Sequence, residues 1–151
     1  MQYLTFRLNG VEYAVDVTIV ETVVEDNETT AVPSPVEYMK GVMDLRGQVV
    51  PVIDLRRKFG LEGDRGGLRA SIIVIRVEGG GDKTLMVGTL VDEVSAVVEI
   101  EESAIEAAQT EGSALWERYV RGIVRLDERM VIIVEADGLF SLREIEGLRA
   151  A

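Results

Sequence analysis

Residues 41–55 read Gly41-Val42-Met43-Asp44-Leu45-Arg46-Gly47-Gln48-Val49-Val50-Pro51-Val52-Ile53-Asp54-Leu55. Val49 to Ile53 is a short, apolar, β-branched run of the kind that forms a strand. Pro51 inside it cannot donate a ladder hydrogen bond, which predicts an edge position or a bulge. Asp54 stands where it can cap a turn of helix over Leu55 to Phe59, ahead of Gly60.

Outward from this stretch, strand signals dominate. Tyr3 to Leu8, Tyr13 to Val17, Ser71 to Val77, Leu85 to Val91 and Met130 to Val134 are short, rich in β-branched residues, and bounded by Gly, Asp or Asn. Asn9-Gly10 lies between the first two and predicts a tight hairpin. Helices are expected to be short. Ser34-Pro35-Val36-Glu37 has the residues of a helix start, with Gly41 placed to end it, and Ser103 with Glu106 repeats the capping spacing before a helix over Ala104 to Ala108. A helix is also expected from Leu139 onward. Residues 60–67 and 78–84 are Gly-rich and read as mobile loops.

Laid on itself at an offset of 81 residues, the chain repeats. Tyr38 meets Tyr119, Gly41 meets Gly122, Val42 meets Ile123, Leu45 meets Leu126, Val50 meets Val131, Asp54 meets Glu135 and Phe59 meets Phe140. A second register, at 74, pairs Val17 with Val91, Val20 with Val94, Val23 with Val97, Val24 with Val98 and Glu25 with Glu99. Two related halves separated by an insertion account for both registers. In the second half Asp127-Glu128 replaces Arg46-Gly47 and Ile132 replaces Pro51, so these residues are not demanded by the shared architecture. That asymmetry points to function, with an internal ion pair of Arg46 as the alternative.

With 151 residues and 47% hydrophobic content, the chain can bury a core of its own, expected mainly as two barrel interiors. It carries 27 acidic and 16 basic residues, a net charge of -11 that repels phosphate backbones and anionic membrane surfaces. Neither nucleic acid nor membrane insertion is expected, and no apolar run reaches the roughly 18 residues of a membrane helix. There is no Cys and no His, which removes disulfides, Cys/His zinc sites and His-dependent nucleophilic catalysis.

Few residues remain to carry chemistry. Gly81-Asp82-Lys83-Thr84 lacks the glycine spacing of a phosphate-binding loop and reads as a hairpin loop. Asp44, Asp54 and Asp92 could supply a carboxylate pair, yet a turn, a helix cap and a strand end explain them as well. The acidic clusters at Glu25 to Glu28 and Glu99 to Glu102 read as solvated turns, and Trp116 with Tyr119 as a core-facing stripe. Two rival readings stay open: a small-barrel enzyme using Asp54 and Asp92, and an SH3-like module binding proline-rich peptide. The second needs an aromatic groove, and only 5% of residues are aromatic.

The string Gly41-Val42, Leu45-Arg46-Gly47, Val49 to Leu55, together with Phe6, Tyr13, Val15, Val17, Val20, Val32-Pro33, Tyr38, Phe59, Gly88, Leu90 to Asp92, Val94 and Gly122, resembles the chemotaxis coupling-protein (CheW-like) family from about Tyr3 to Phe140. The resemblance implies an all-β fold with short helices: two intertwined five-stranded SH3-like barrels, forming one domain over residues 1–151 from two related barrel subdomains. It implies a non-enzymatic adaptor, without metal or cofactor, that bridges the cytoplasmic tip of a methyl-accepting chemoreceptor to the regulatory domain of a CheA-type histidine kinase. Such a chain is expected to be cytoplasmic, recruited to membrane receptor arrays, and monomeric on its own. The family's receptor-facing positions fall on Leu4, Val17, Val20, Gly41 and Arg46, and Val49 is the candidate for the kinase side. Apolar residues suit an amphipathic receptor helix, Gly41 would let its backbone approach, and Arg46 would bind at its rim. Gly41→Asp or Arg46→Glu is then expected to abolish receptor coupling and spare the fold. Asp44 stands where the family usually has Asn, and Gly79 to Gly81 lengthen one hairpin; either could shift partner preference.

Overall fold

The computed structural model describes residues 1–26, 29–33, 37–61, 70–78, 84–107, 119–135 and 139. Eleven strands account for most of them: β1 (Gln2–Leu8), β2 (Val11–Asp16), β3 (Val20–Glu25), β4 (Met39–Leu45), β5 (Gln48–Asp54), β6 (Ser71–Glu78), β7 (Thr84–Val91), β8 (Glu93–Glu99), β9 (Glu106–Ala107), β10 (Val120–Leu126) and β11 (Arg129–Val134). One turn of helix, α1 (Leu55–Lys58), and two 3-10 turns, Val17–Ile19 and Glu102–Ala104, complete the set. The strands form two sheets, ordered β8-β1-β2-β11-β10-β9 and β3-β6-β7-β5-β4. The sheets are the expected intertwined pair, with the two-residue β9 as a sixth strand in one.

The intertwining has a definite pattern. In the first sheet the β1–β2 hairpin of the N-terminal half is flanked by β8 and by β11, both from the C-terminal half. In the second the β6–β7 hairpin of the C-terminal half is flanked by β3 and β5. Each half lends its hairpin to the other's sheet, joined in both cases by a parallel pairing, β11 with β2 and β5 with β7. The 81-residue register superposes β4–β5 on β10–β11 down to the hydrogen bonds that seat them: Asp54 N–H donates to the Tyr38 carbonyl and Glu135 N–H to the Tyr119 carbonyl, each at 2.8 Å. The 74-residue register superposes β3 on β8. The seven-residue difference falls between β8 and β10.

Turn chemistry sets the registers. Asn9 (φ 53°) and Gly10 (φ 80°) give β1–β2 the two left-handed residues of a type I′ hairpin. Arg46 (φ 52°) with Gly47 (φ 83°), and Asp127 (φ 53°) with Glu128 (φ 58°), do the same for the two equivalent hairpins. Arg46-Gly47 and Asp127-Glu128 therefore share a turn geometry despite their different side chains.

Strand alternation divides the core into three. On β6, Ile72 and Val74 face one interior with Met43, Val50, Val52 and Leu90. On β11, Val131 and Ile133 face another with Tyr3, Ala14, Ile100 and Val124. The opposite faces of the same strands, through Leu4, Phe6, Tyr13, Ile53, Ile73, Ile75, Val87 and Ile132, meet in a third cluster to which both sheets contribute. Among the described residues this shared cluster is the largest, so the expectation of two barrel interiors as the main core is corrected. The central strands are buried on both faces, which explains their unbroken apolar runs. An aromatic ladder runs through the shared cluster, Phe6 on Tyr13 at 5.7 Å, Tyr13 to Phe59 at 5.8 Å and Phe59 on Tyr119 at 5.3 Å.

Several local expectations change. Asp54 caps α1 as expected, accepting from Arg56 N–H at 3.0 Å, and Phe59 follows as C-cap. Gly41 does not end a helix; it lies inside β4, and residues 34–36 of the expected helix lie outside the described residues. Ser103 caps nothing: Glu102–Ala104 is a single 3-10 turn, and the following residues are captured by the edge of β10 as β9. β5 is not an edge strand, having β4 on one side and β7 on the other. Pro51 is tolerated because pairing with β7 begins only at Val52, and because Val42, its partner in β4, directs its own N–H and carbonyl away, to Thr30. The bulge is in β4, between Met39 and Gly41. Residues 62–67, 79–83, Trp116 and everything from 140 on lie outside the described residues.

Candidate functional site

The 3-10 turn Val17–Ile19 is where the chain crosses from one sheet to the other. Asp16 starts it, its carboxylate accepting from the Thr18 N–H and hydroxyl at 2.9 Å. Arg76 on β6 holds it from the other sheet, donating to the Thr18 carbonyl and pairing with Glu21 at 2.5 Å. The turn packs on both β1 and β6. Around it three of the expected residues come together. Leu4 on β1 is buried in the shared cluster, and Val17 and Val20 are half-buried against it. Leu4 lies opposite Val97 of β8, and Val23 opposite Ile73 of β6, so both valines share the face of the shared cluster. Val97 is 52% exposed and Val23 40%, so each presents apolar surface to solvent beside a buried residue of the cluster. Neither is singled out by the sequence reading as a candidate, although the 74-residue register pairs them.

Arg46 and Val49 form a second group at the β4–β5 hairpin. Arg46 is exposed at the turn, and Val49 projects from β5 opposite Asp44 with 69% of its surface accessible. At about 3.4 Å per residue, Arg46 stands some 17 Å along β4 from Gly41. Gly41 belongs to neither group. A Cβ there would lie 2.7 Å from the Thr30 carbonyl carbon and closer still to its oxygen, because Thr30 and Val42 exchange two backbone hydrogen bonds of 2.8 Å. The backbone that approaches Gly41 is the chain's own, so the expectation that Gly41→Asp spares the fold does not hold. Gly122 repeats the arrangement, with its Cβ position 2.5 Å from the Glu106 carbonyl oxygen.

The three candidate acids have other places. Asp54 caps α1, and Asp44 is exposed on β4. Asp92, at the corner between β7 and β8, accepts from Asn9 N–H at 2.7 Å and meets Arg56 Nε at 3.1 Å. Arg56 also donates to the Asn9 side chain at 3.1 Å. This nearly buried network ties α1 and the β1–β2 turn to the point where the chain changes sheets, and nothing in residue spacing announced it. The aromatic ladder lies inside the shared cluster, so no aromatic-lined surface groove is found among the described residues for a proline-rich ligand. Burial pushes the Tyr3 and Tyr13 hydroxyls above their ordinary range, and the Glu102 carboxylate raises the Arg121 guanidinium. No helix among the described residues is long and apolar enough to cross a membrane.

Residues 2–144 match the CheW-like domain. A probable chemotaxis protein CheW from Rhizobium etli is 33% identical over 145 residues, covering 96% of this chain and 90% of the relative. The chemotaxis protein CheW of Bacillus subtilis is also 33% identical, covering 90% of this chain and 84% of the relative. Among solved structures, the scaffolding protein CheW from Thermoanaerobacter tengcongensis superposes with a TM-score of 0.79 at 31% identity, covering 93% and 92% of the two chains.

Proposed function

Because the chain belongs to the CheW-like domain family, in which proteins of chemotaxis and scaffolding recur, we propose that it is a non-enzymatic adaptor coupling methyl-accepting chemoreceptors to the regulatory domain of a CheA-type histidine kinase. The observation that carries the reading is the junction around Val17–Ile19. There Leu4, buried in the shared core, Val17 and Val20, half-buried against it, and the exposed Val23 and Val97, cross-strand partners of core residues, offer apolar anchor points of the kind an amphipathic helix needs. The receptor tip docks along this junction, with Arg46 contributing a charged contact. Gly41 acts indirectly, through the seating of β4 against Thr30. Val49, apolar and exposed, faces the kinase. The two barrel subdomains act as one domain, cytoplasmic, monomeric alone and recruited to receptor arrays through these contacts.

Calorimetric titration of the full chain against the kinase regulatory domain, and separately against a receptor-tip fragment, tests the reading. Saturable binding to both at independent sites is expected, with Arg46→Glu weakening only the receptor arm and Val49→Asp only the kinase arm. Binding to neither by a folded protein overturns it.

A further inference from the structure

Strand β3 does not alternate regularly. Against β6 its register runs Val24 to Ile72, Val23 to Ile73 and Thr22 to Val74, and then jumps to Val20 with Ile75, leaving Glu21 as an extra residue. A bulge of this kind reverses the facing of every residue beyond it. Val24 packs into the interior that holds Ile72 and Val74. Val20 would share that face in a regular strand, yet it packs on the shared cluster with Ile75. The bulge at Glu21 is therefore what brings Val20 into the same cluster as Leu4.

Two features hold the bulge in place. In the observed register the Glu21 carboxylate meets Arg76 Nη1 at 2.5 Å, and Arg76 Nη2 donates to the Thr18 carbonyl, so one guanidinium grips both the strand and the turn before it. Both side chains keep part of their surface in solvent, which spares the pair the full cost of desolvation. Without the bulge, Thr22 would still oppose Val74, but Glu21 would oppose Ile75 and Val20 would oppose Arg76. Glu21 would then turn its carboxylate onto the shared cluster beside the buried Ile75, where an unpaired charge is costly. Glutamate thus favours one register by attraction and disfavours the other by desolvation. Strand β8 has the matching bulge: Thr5 opposes Ala96 and Phe6 opposes Val94, with Ser95, 74 positions after Glu21, as the extra residue. That bulge carries no charge, so the ionic lock belongs to β3 alone.

We infer that Glu21 and Arg76 are positioning residues of the receptor-docking site proposed above, a role that rests on that docking. They lock β3 in the bulged register that turns Val20 toward the docking face, and Arg76 fixes the Val17–Ile19 turn to the same strand. Their effect on the receptor passes through Val20.

Methyl NMR of the full chain, with calorimetric titration against the receptor-tip fragment and the kinase regulatory domain, tests it. The unaltered protein should show NOEs between the methyls of Val20 and those of Ile75, its partner across the ladder. Glu21→Val removes the lock and lifts the penalty on the slipped register. The Val20 to Ile75 NOEs should then be lost and receptor affinity should fall about tenfold, the worth of one valine anchor, with kinase affinity unchanged. Arg76→Met should act in the same direction by about twofold to fivefold, as for an exposed ion pair, because desolvation of Glu21 still opposes the slip. Glu21→Gln keeps a polar side chain and a hydrogen bond to Arg76, and should keep both the NOEs and the affinity. Unfolding midpoints report whether each variant folds, and Arg76→Met with Glu21→Gln decides the matter should Glu21→Val fail to. A folded Glu21→Val protein that keeps the NOEs overturns the lock. One that loses them at unchanged receptor affinity overturns the positioning role and leaves the docking site standing. Loss of affinity in Glu21→Gln with the NOEs intact also overturns it, by making Glu21 a direct contact. The NOEs need no receptor, so an unaltered protein that shows them but binds no receptor tip overturns the docking itself, and the role with it.

Discussion

Replacing Gly41 by alanine is the sharpest perturbation the fold offers, because it adds one carbon where the chain's own backbone already lies. The new Cβ would fall 2.7 Å from the Thr30 carbonyl carbon and 3.0 Å from the Ala31 Cα, so the 30–31 backbone must move away from β4. That movement breaks the reciprocal pair of 2.8 Å hydrogen bonds between Thr30 and Val42. At about 1 kcal/mol net for each bond, the loss is about 2 kcal/mol. For a chain of this size that lowers the unfolding midpoint by about 4–8 °C. Urea titration gives the free energy, and amide hydrogen exchange gives its location: protection should fall at Val42 and Thr30 while β6 and β7 keep theirs. Gly41→Asp should be worse on both measures, and any loss of receptor affinity should scale with the loss of Val42 protection. Arg46→Glu provides the contrast, weakening receptor binding with a stability change within about 0.5 kcal/mol, as for an exposed substitution. A Gly41→Ala protein with an unchanged midpoint and an unchanged Val42 exchange rate would refute the reasoning and return Gly41 to the set of direct contacts.

Three further outcomes follow from the same geometry. Arg56→Met strips the Asp92 carboxylate, 11% exposed, of the Arg56 charge at 3.1 Å and should cost about 3 kcal/mol by urea titration; the double variant Arg56→Met/Asp92→Leu should recover much of it. Glu128→Gly removes a left-handed non-glycine residue (φ 58°) from the β10–β11 turn and gives it the glycine its counterpart has at Gly47, so it should stabilise the chain by about 1 kcal/mol. Tyr13, held neutral by burial, keeps its proton in the folded state above the ordinary value near 10, where the unfolded chain loses it. Its contribution to stability is therefore intact below pH 10 and declines as pH rises toward the folded value, at up to about 1.4 kcal/mol per pH unit, and alkaline denaturation of Tyr13→Phe should show a shallower fall.

Sequence made the strands and the repeat legible because both rest on local signals. Period-2 burial, turn residues and the recurrence of Tyr38, Gly41 and Leu45 at Tyr119, Gly122 and Leu126 need no knowledge of partners. Other features were set by tertiary contacts and so were invisible. Ser103 and Glu106 have the spacing of a capping box, yet the edge of β10 offers that backbone a strand to pair with, and pairing wins. Gly41 looked like a helix stop because glycine serves both there and where two backbones touch, and only the position of Thr30 distinguishes the cases. The Asn9, Arg56 and Asp92 network joins residues up to 83 positions apart. Arg46 was legible as asymmetric between the halves, but its left-handed turn is shared with Asp127, so the asymmetry resides in the side chain and not in the backbone.

The exchange of hairpins bears on how an adaptor of this kind works. Were each half to form its own barrel, the two would meet across an interface like that between ordinary domains and could shift against each other. Here β1–β2 is hydrogen-bonded between β8 and β11 while β6–β7 is hydrogen-bonded between β3 and β5, so separating the two halves of the chain means breaking ladders inside both sheets. The shared cluster, the aromatic ladder and the Arg56–Asp92 pair all lie across the same boundary. The junction around Val17–Ile19 and the hairpin bearing Arg46 and Val49 are thereby held at a fixed separation. On the proposed reading, such rigidity matters more than a tight grip at either contact, because a displacement at one reaches the other only if the material between them does not yield.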